Sequence, residues 1–417
     1  MEVDSAPQDA VQSIDQIENA DLVVGILADL GRDEVAEVCA ALRAIPGSPR
    51  IVVLQNHLST EVTPANAETA VQDTSVTLAP WPLQKSNAPG APLESVLTAY
   101  SSIFGIGEKL GVRGCCVIAS KLEPAMHQWA RRLTEPLLEP GFDFVAPCFS
   151  RRKFDGLLNN SIVYPLTRSL YGKQIQNPMG PDLGVSRRLF QQLLAADQNI
   201  KPSGDGMRLL ASIAPLAQCG NFQVCQAHLG ARIYPPPDWT HVSSLLAEIL
   251  GPLFLTMERN AACWQKMRSS SPVKELNAPM AVPHTTGTVD VGRMVNSFQQ
   301  GARDLQEIWR LVLPPTTLLE INKLSRAAPE QFHIPDELWV RIIYDFALAH
   351  RQRTINRDHL LRSLTPLYLG WVASYASEYE RAEGAVVDEQ IERLSLAYET
   401  EKPYLVSRWR WPDRFNP

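Results

Sequence analysis

The sequence lacks the features that mark several large classes of protein. Basic residues do not exceed acidic ones, since 39 Lys and Arg face 45 Asp and Glu for a net charge of −6, so no general attraction to nucleic acid is expected. No apolar run approaches the roughly 18 residues that a membrane span requires. The acidic, polar N-terminus lacks the basic and apolar regions of a signal peptide. We therefore expect a cytoplasmic protein without a membrane span or a nucleic-acid partner.

Motifs that would identify a common chemistry are also missing. None of the seven cysteines has CxxC spacing, which argues against a zinc site. The GxGxxG motif and the P-loop are both absent. Their absence counts against a doubly wound sheet that binds a nucleotide through either motif. No heptad pattern is sustained, so a long coiled coil is not expected.

What the sequence does contain is the alternation typical of an α/β protein. Short apolar runs over residues 21–27, 50–57 and 114–120 have the length and composition of buried strands. Between the first two runs, residues 33–45 repeat their apolar side chains at helical spacing. This alternation predicts a doubly wound sheet.

The carboxyl ends of these strands are where ligands bind in such a sheet. Ala28 and Asp29 follow the first predicted strand, and Asn56 closes the second. These three residues are therefore candidates for ligand binding. His57 comes next and has two possible roles, a ligand contact or a solvated loop histidine.

Composition also suggests how the chain is divided. Residues 1–20 are predicted to be a polar tail, and residues 21–268 an α/β domain. Residues 269–290 are polar and contain proline, which is typical of a linker or a surface loop. From residue 291 to 417 the apolar spacing is helical, which predicts a helical C-terminal region.

The stretch from Arg151 to Ser186 has the densest set of polar and basic side chains between turn-forming glycines. Composition alone allows an ordinary surface helix with its loops. The order of the residues, RRKFDG–NNSIVYPLTRSLYG–NPMGPDLGVS, resembles the central block of retaining GT-A nucleotide-sugar glycosyltransferases related to mannosylglycerate synthase and glucosyl-3-phosphoglycerate synthase. Weaker resemblance extends from Asp21 to Trp409.

This resemblance implies both a fold and a chemistry. The fold would be GT-A, a Rossmann-like, doubly wound mixed sheet with a helical C-terminal region. The reaction would be transfer of a hexose, with retention, from a nucleotide diphosphate sugar to a small hydroxy acid or a phosphorylated acceptor. Asp182 would lie beside the anomeric centre, although Ser186 or Asp182 is also a natural helix N-cap before RRLFQQLL. Asp205 would help to position the acceptor. The sugar and acceptor side would be lined by Arg151, Lys153, Asp155, Asn160, Arg168 and Lys173.

The metal site that the resemblance implies is missing from the sequence. Such enzymes use Mg or Mn, held by an Asp-Ala-Asp motif at the end of a strand, because two carboxylates can hold a divalent cation that bridges the diphosphate. This chain has Ala119-Ser120-Lys121 there, and Tyr234 where a histidine ligand would stand. No metal cofactor is therefore expected.

Two hypotheses follow from this departure. In the first, Lys121 and Arg232 replace the cation as fixed positive charges on the diphosphate of the bound sugar nucleotide. In the second, the chain has lost catalysis and serves as a binding or regulatory subunit, either as a homo-oligomer or paired with an active relative.

Overall fold

A computed structural model of the chain describes residues 14, 17, 19–56, 75–81, 91–120, 126–138, 141–197, 206–232, 238–279, 289–328, 331–379 and 384–411. The chain forms two compact units whose segments alternate along the sequence. Unit 1 contains Met1–Ser150, Ile175–Arg232 and Val273–Met280, and unit 2 contains Arg151–Gln174, Ile233–Pro272 and Ala281–Pro417. Each compact unit is assembled from three segments that are separated along the chain.

The first part of the chain alternates strands and helices. Its elements are β1 (Leu22–Ile26), α1 (Arg32–Arg43), β2 (Ile51–Asn56), β3 (Val76–Trp81), α2 (Ala91–Lys109), β4 (Gly114–Ile118), α3 (Met126–Leu138) and β5 (Phe144–Ser150). A segment of unit 2 follows, with a π-helical turn (Asn159–Val163), α4 (Tyr164–Tyr171) and β6 (Lys173–Gln174). Unit 1 then resumes with β7 (Leu183–Ser186), α5 (Arg187–Asp197), α6 (Gly206–Cys219) and β8 (Val224–Ala231).

The rest of the chain is mainly helical. It contains α7 (Val242–Arg259), α8 (Ala261–Trp264), β9 (Ser271–Pro272), β10 (Lys274–Leu276), α9 (Val291–Asp304), α10 (Gln306–Arg310), α11 (Pro315–Leu324), α12 (Asp336–Gln352), α13 (Arg357–Ser363), α14 (Thr365–Tyr379) and α15 (Gly384–Arg410). The predicted α/β class with a helical C-terminal region is confirmed. No helix within the described ranges has the length and apolar character needed to cross a membrane.

Unit 1 is built on an eight-stranded mixed sheet in the order β10-β8-β5-β7-β4-β1-β2-β3. All neighbouring strands are parallel except at β7, which runs antiparallel to both β4 and β5. Leu22 of β1 is in register with Ile51 of β2 on one side and with Gly114 of β4 on the other. The sheet is therefore doubly wound, as the alternation of strands and helices predicted.

Helices cover both faces of this sheet because its strands are apolar on both sides. On one face, Val35 of α1 and Trp129 of α3 belong to a buried cluster with β1 and β4. On the other face, Phe104 of α2, Phe190 of α5 and Ile213 of α6 form a second cluster. With both faces buried, the ends of the strands are left as the part of the sheet that can meet a ligand.

Unit 2 is a helical assembly organised around the π-helical turn and α4. The carbonyl of Ser161 in the turn accepts hydrogen bonds from Trp339 Nε1, at 3.1 Å, and from the Tyr398 hydroxyl, at 3.0 Å. At the other end of α4, the buried Lys402 ammonium donates to the carbonyls of Ser169 and Leu170, at 2.5 and 3.2 Å. The two Lys402 contacts satisfy backbone carbonyls that α4 leaves unpaired at its C-terminus.

Candidate functional site

The candidate site lies at the carboxyl edge of the unit 1 sheet. Because β1, β4, β5 and β8 share one direction, their last residues meet at this edge. Strand β7 runs the opposite way, so Asp182, which precedes it, reaches the same edge. Arg232 directly follows β8. The antiparallel strand therefore brings Asp182 and Arg232, predicted separately, to one place.

The Asp182 carboxylate is fully buried, at 0% exposure, and directed into the protein. Its Oδ1 accepts hydrogen bonds from the backbone N–H groups of Ala119 and Ser120, both at 2.9 Å. Its Oδ2 accepts from the Ser120 hydroxyl at 2.6 Å. Asp182 thus anchors the chain just beyond β4, at the position where the resemblance implied a metal-binding motif.

Arg232 joins this arrangement from β8. Its Nη1 lies 3.9 Å from Asp182 Oδ2, and its Nη2 donates to the Ser120 hydroxyl at 3.1 Å. The guanidinium carbon is 4.9 Å from the centre of the Phe149 ring, within reach of a cation–π contact. The Arg232 backbone N–H donates to the Ser150 carbonyl at 2.9 Å. These contacts hold the guanidinium, 13% exposed, between β8 and β4.

The segment before Asp182 is held at three points. The Tyr100 hydroxyl donates to the Pro181 carbonyl at 2.5 Å, and the Asn177 amide donates to the Pro147 carbonyl at 2.9 Å. Gly180 packs so closely on Pro147 that a Cβ would lie 2.3 Å from its ring. Burial, together with the nearby Asp182 charge, raises the pKa of Tyr100 well above its usual value, so this hydroxyl stays protonated as a donor.

Helix capping, the other role open to Asp182, is performed by a different residue. The Ser186 hydroxyl accepts from the Leu189 N–H at 3.3 Å, as expected for an N-cap at the start of α5. Asp182 lies at the opposite end of β7 and is turned towards β4. The capping role therefore belongs to Ser186.

The remaining donor-side candidates are only partly described. Ala28 is buried, and its N–H and that of Leu27 point to the Ile118 carbonyl at 3.4 and 2.8 Å. Asp29 is exposed next to it. Asn56 ends β2 and is in register with Trp81 of β3. Four residues of the sequence argument lie outside the described residues: Lys121, Asp205, His57 and Tyr234.

The candidates for the sugar and acceptor side belong to unit 2. Asp155 is buried and accepts from both Arg152 Nε and Nη2, at 2.9 and 3.3 Å. The Lys153 ammonium lies 5.3 Å from the centre of the Phe154 ring. A Cβ at Gly156 would lie 2.3 Å from Arg151 Nη1, so the glycine makes room for that guanidinium.

Two further candidates begin and end the helical segment. Asn160, in the π-helical turn, accepts from the Asn159 side-chain amide at 3.0 Å. Lys173 is exposed, and its ammonium donates to the Ser271 hydroxyl at 3.2 Å. π-Helical turns occur frequently at functional sites.

Arg168 has a buried environment of its own. Its guanidinium is 2% exposed and makes ion pairs with Glu392 and Glu399 of α15, at 2.5 and 2.7 Å. Burial alone would lower the pKa of Arg168, but hydrogen bonds to Glu392 and Tyr164 raise it above its usual value. These pairs hold α4 against α15. Binding a sugar through Arg168 would require breaking them.

Sequence reasoning missed two participants in the site. Ser120 was noted only as a replacement for a metal ligand, although its hydroxyl joins Asp182 to Arg232. Tyr100 lies within an apolar helical segment and carries no local signal of its contact with Pro181. Within the described part of the chain, no three or more His, Cys, Asp or Glu side chains are grouped so that they could hold a metal ion.

Comparison with known proteins gives little further information. No established protein family matches the chain, and no curated protein is significantly similar to it. One solved structure, described as the crystal structure of a mycobacterial protein, is similar with a TM-score of 0.34 and 13% sequence identity, over 61% of this chain and 80% of that chain. A similarity this weak carries no argument for fold or function.

Proposed function

We propose that the chain is a divergent member of the retaining GT-A glycosyltransferases and binds a nucleotide diphosphate sugar without a metal ion. The sequence block from Arg151 to Ser186 supports the family. The position of Arg232 supports the binding mode, because ligands of doubly wound sheets bind beyond the carboxyl ends of the strands. The proposed acceptor is a small hydroxy acid or a phosphorylated compound.

The observation that carries this proposal is the Asp182–Ser120–Arg232 arrangement at the end of β4. In a metal-dependent transferase, a cation at this position neutralises the leaving diphosphate. A guanidinium is always charged and offers paired donors that match phosphate oxygens. The 3.9 Å contact of Arg232 with Asp182 is longer than a hydrogen bond. A phosphate oxygen that accepts directly from Arg232 would interact more strongly, and Lys121 would add a second positive charge.

The geometry of Asp182 favours a second candidate, a non-catalytic binding or regulatory subunit. Both carboxylate oxygens already accept hydrogen bonds from Ala119 and Ser120, and the side chain is not exposed. To act on an anomeric carbon, Asp182 would have to break these bonds and leave two backbone donors unpaired, which is costly in a buried site. As such a subunit, the chain would bind the nucleotide sugar without turning it over, or would pair with an active relative.

Calorimetric titration with UDP, GDP and their sugars, with and without manganese, tests the proposal. Binding is expected without manganese, and Arg232→Met should weaken it at least tenfold. Arg188→Met is the matched control, because Arg188 belongs to the same unit but pairs with Asp143, just before β5 at the opposite edge of the sheet.

Each outcome separates the candidates. Binding that requires manganese would overturn the metal-free site, and no binding of any nucleotide would overturn nucleotide recognition altogether. Given binding, a turnover assay for hydrolysis of the bound sugar nucleotide distinguishes the two functions. Turnover supports the transferase, whereas tight binding without turnover supports the non-catalytic subunit.

A further inference from the structure

A groove of about 760 Å³ lies within unit 2, remote in sequence from the residues assigned above. It is lined by the start of α12, the end of α14 and the middle of α15. Phe332, Pro335 and Leu396 give it an apolar wall. Leu396 is a large apolar side chain that is 47% exposed. The volume is in the range of pockets that hold small organic ligands.

The groove carries an excess of negative charge. Three carboxylates, Asp336, Glu337 and Glu378, line it against the single guanidinium of Arg393, which gives a formal charge of −2 when His333 is neutral. Arg393 bridges two of them, with Nε 3.0 Å from Asp336 and Nη2 3.4 Å from Glu378. Glu337 is exposed and has no hydrogen bond or ion pair with any residue that the structure describes. A cation is therefore the favoured ligand.

Two of the three carboxylates, Asp336 and Glu378, are held in place before any ligand arrives. Glu378 Oε1 accepts from the Tyr379 hydroxyl at 2.5 Å as well as from Arg393. Gln390 supports Asp336 from α15 through a contact of 3.4 Å. A ligand that meets carboxylates already fixed in this way loses less free energy to ordering the protein.

Three residues that line the groove, Ser374, His333 and Glu378, do not form a catalytic triad. Ser374 Oγ lies 3.1 Å from His333 Nδ1, and Glu378 Oε2 lies 3.8 Å from the same nitrogen. In a catalytic triad the nucleophile and the carboxylate bind opposite nitrogens of the imidazole. The ring can then take a proton from the nucleophile and give it to the leaving group while the carboxylate holds it in place. The arrangement here cannot do this, which leaves binding as the role of the groove.

We propose that this groove binds a small aliphatic cation of the diamine or polyamine class. Ammonium groups would pair with Glu337 and Glu378, and the hydrocarbon stem would cover Pro335 and Leu396. An inorganic cation would satisfy the carboxylates but not the apolar wall. A nucleotide or another anion would be repelled. The proposal is independent of the function assigned to the unit 1 edge.

Titration of the full chain with spermidine, at fixed ionic strength, tests this inference. Glu337→Gln should weaken binding about tenfold, and Leu396→Ser about threefold because it removes part of the apolar wall. Glu320→Gln, an exposed carboxylate of α11 that does not line the groove, is the matched control and should leave the affinity unchanged. Because Glu337 and Leu396 are exposed, both variants are expected to fold, and circular dichroism checks this.

Three results would overturn the proposal. One is no spermidine binding at millimolar concentration. Another is equal competition by Mg²⁺ at matched charge, which would mean that the groove recognises charge alone. The third is binding of an oligolysine peptide but not of spermidine, which would assign the groove to a protein partner.

Discussion

Asp345 offers the sharpest test of the energetics of unit 2. It belongs to α12, is 1% exposed, and accepts hydrogen bonds on both oxygens from the Tyr404 hydroxyl, at 2.8 and 2.9 Å. Arg408 Nε lies 3.2 Å from its Oδ1. Burial opposes the charged form more strongly than Arg408 and Tyr404 favour it, and raises the pKa of Asp345 to about 7.

The sign of the effect on stability follows from this pKa. An unfolded aspartate titrates near pH 4, so between about pH 4 and pH 7 the folded state binds more protons than the unfolded state. The contribution of Asp345 to stability is therefore fully present below about pH 4 and is lost as the pH rises through 7. A difference of about three pKa units corresponds to about 4 kcal/mol.

The perturbation is Asp345→Asn, which removes the titration and keeps an acceptor for Tyr404. Urea denaturation of both proteins from pH 4.5 to 8.5, followed by tryptophan fluorescence, gives their free energies of unfolding. The wild type should lose stability relative to the variant as the pH rises, by several kcal/mol over the range. Glu307→Gln, at a highly exposed position of α10, is the control and should show no such trend.

A constant difference would refute the reasoning. If the difference in free energy of unfolding between the wild type and Asp345→Asn did not change from pH 4.5 to 8.5, the folded-state pKa of Asp345 would lie at or below its ordinary value near 4. The ion pair with Arg408 and the hydrogen bonds from Tyr404 would then balance or outweigh burial.

Three further predictions concern single side chains. Asp182→Ala should destabilise the protein by about 3 kcal/mol, because two buried amides lose their acceptor, and Asp182→Asn by about 1 kcal/mol; equal losses in urea denaturation would contradict the anchoring role. Arg168→Met should cost about 1 to 3 kcal/mol by removing both ion pairs of the buried guanidinium, since Glu392 is half exposed and Glu399 keeps its hydrogen bond from Ser270, and an unchanged melting temperature would disprove the pairing. Gly184→Ala should cost about 1 to 3 kcal/mol, because the added Cβ would lie 2.5 Å from the Leu133 carbonyl oxygen, and calorimetry should show this as a lower melting temperature.

Much of the secondary structure could be predicted because its signals are local. Strand β1 lies within the predicted run 21–27, and β4 within 114–120. Helix α1 spans Arg32–Arg43, and the apolar spacing predicted a helix over residues 33–45. A buried strand requires a continuous apolar run and an amphipathic helix requires a repeat near 3.6 residues, and both patterns can be read without knowing what packs against them.

Strand β7 shows where such patterns stop being informative. It has four residues, LGVS, and lies antiparallel between β4 and β5. Nothing in so short a run specifies its direction or its neighbours. The position of β7 between β4 and β5 nevertheless determines where Asp182 lies, because it brings Asp182 to the edge where the parallel strands end. The sequence left two roles open for Asp182, helix capping and membership of the site. The pairing of β7 with β4 places the Asp182 carboxylate beside Ala119 and Ser120, from which it accepts its hydrogen bonds.

By itself, the sequence determined the fold class, the order of most strands and helices and the absence of an acidic motif after β4. Only the tertiary structure decided which polar side chains meet. Arg168 pairs with Glu392, 224 residues away, and Arg232 reaches Ser120 from 112 residues away. The reason is physical: secondary structure responds to neighbours within a few residues, whereas the partner of a buried charge is set by elements that approach only when the chain packs.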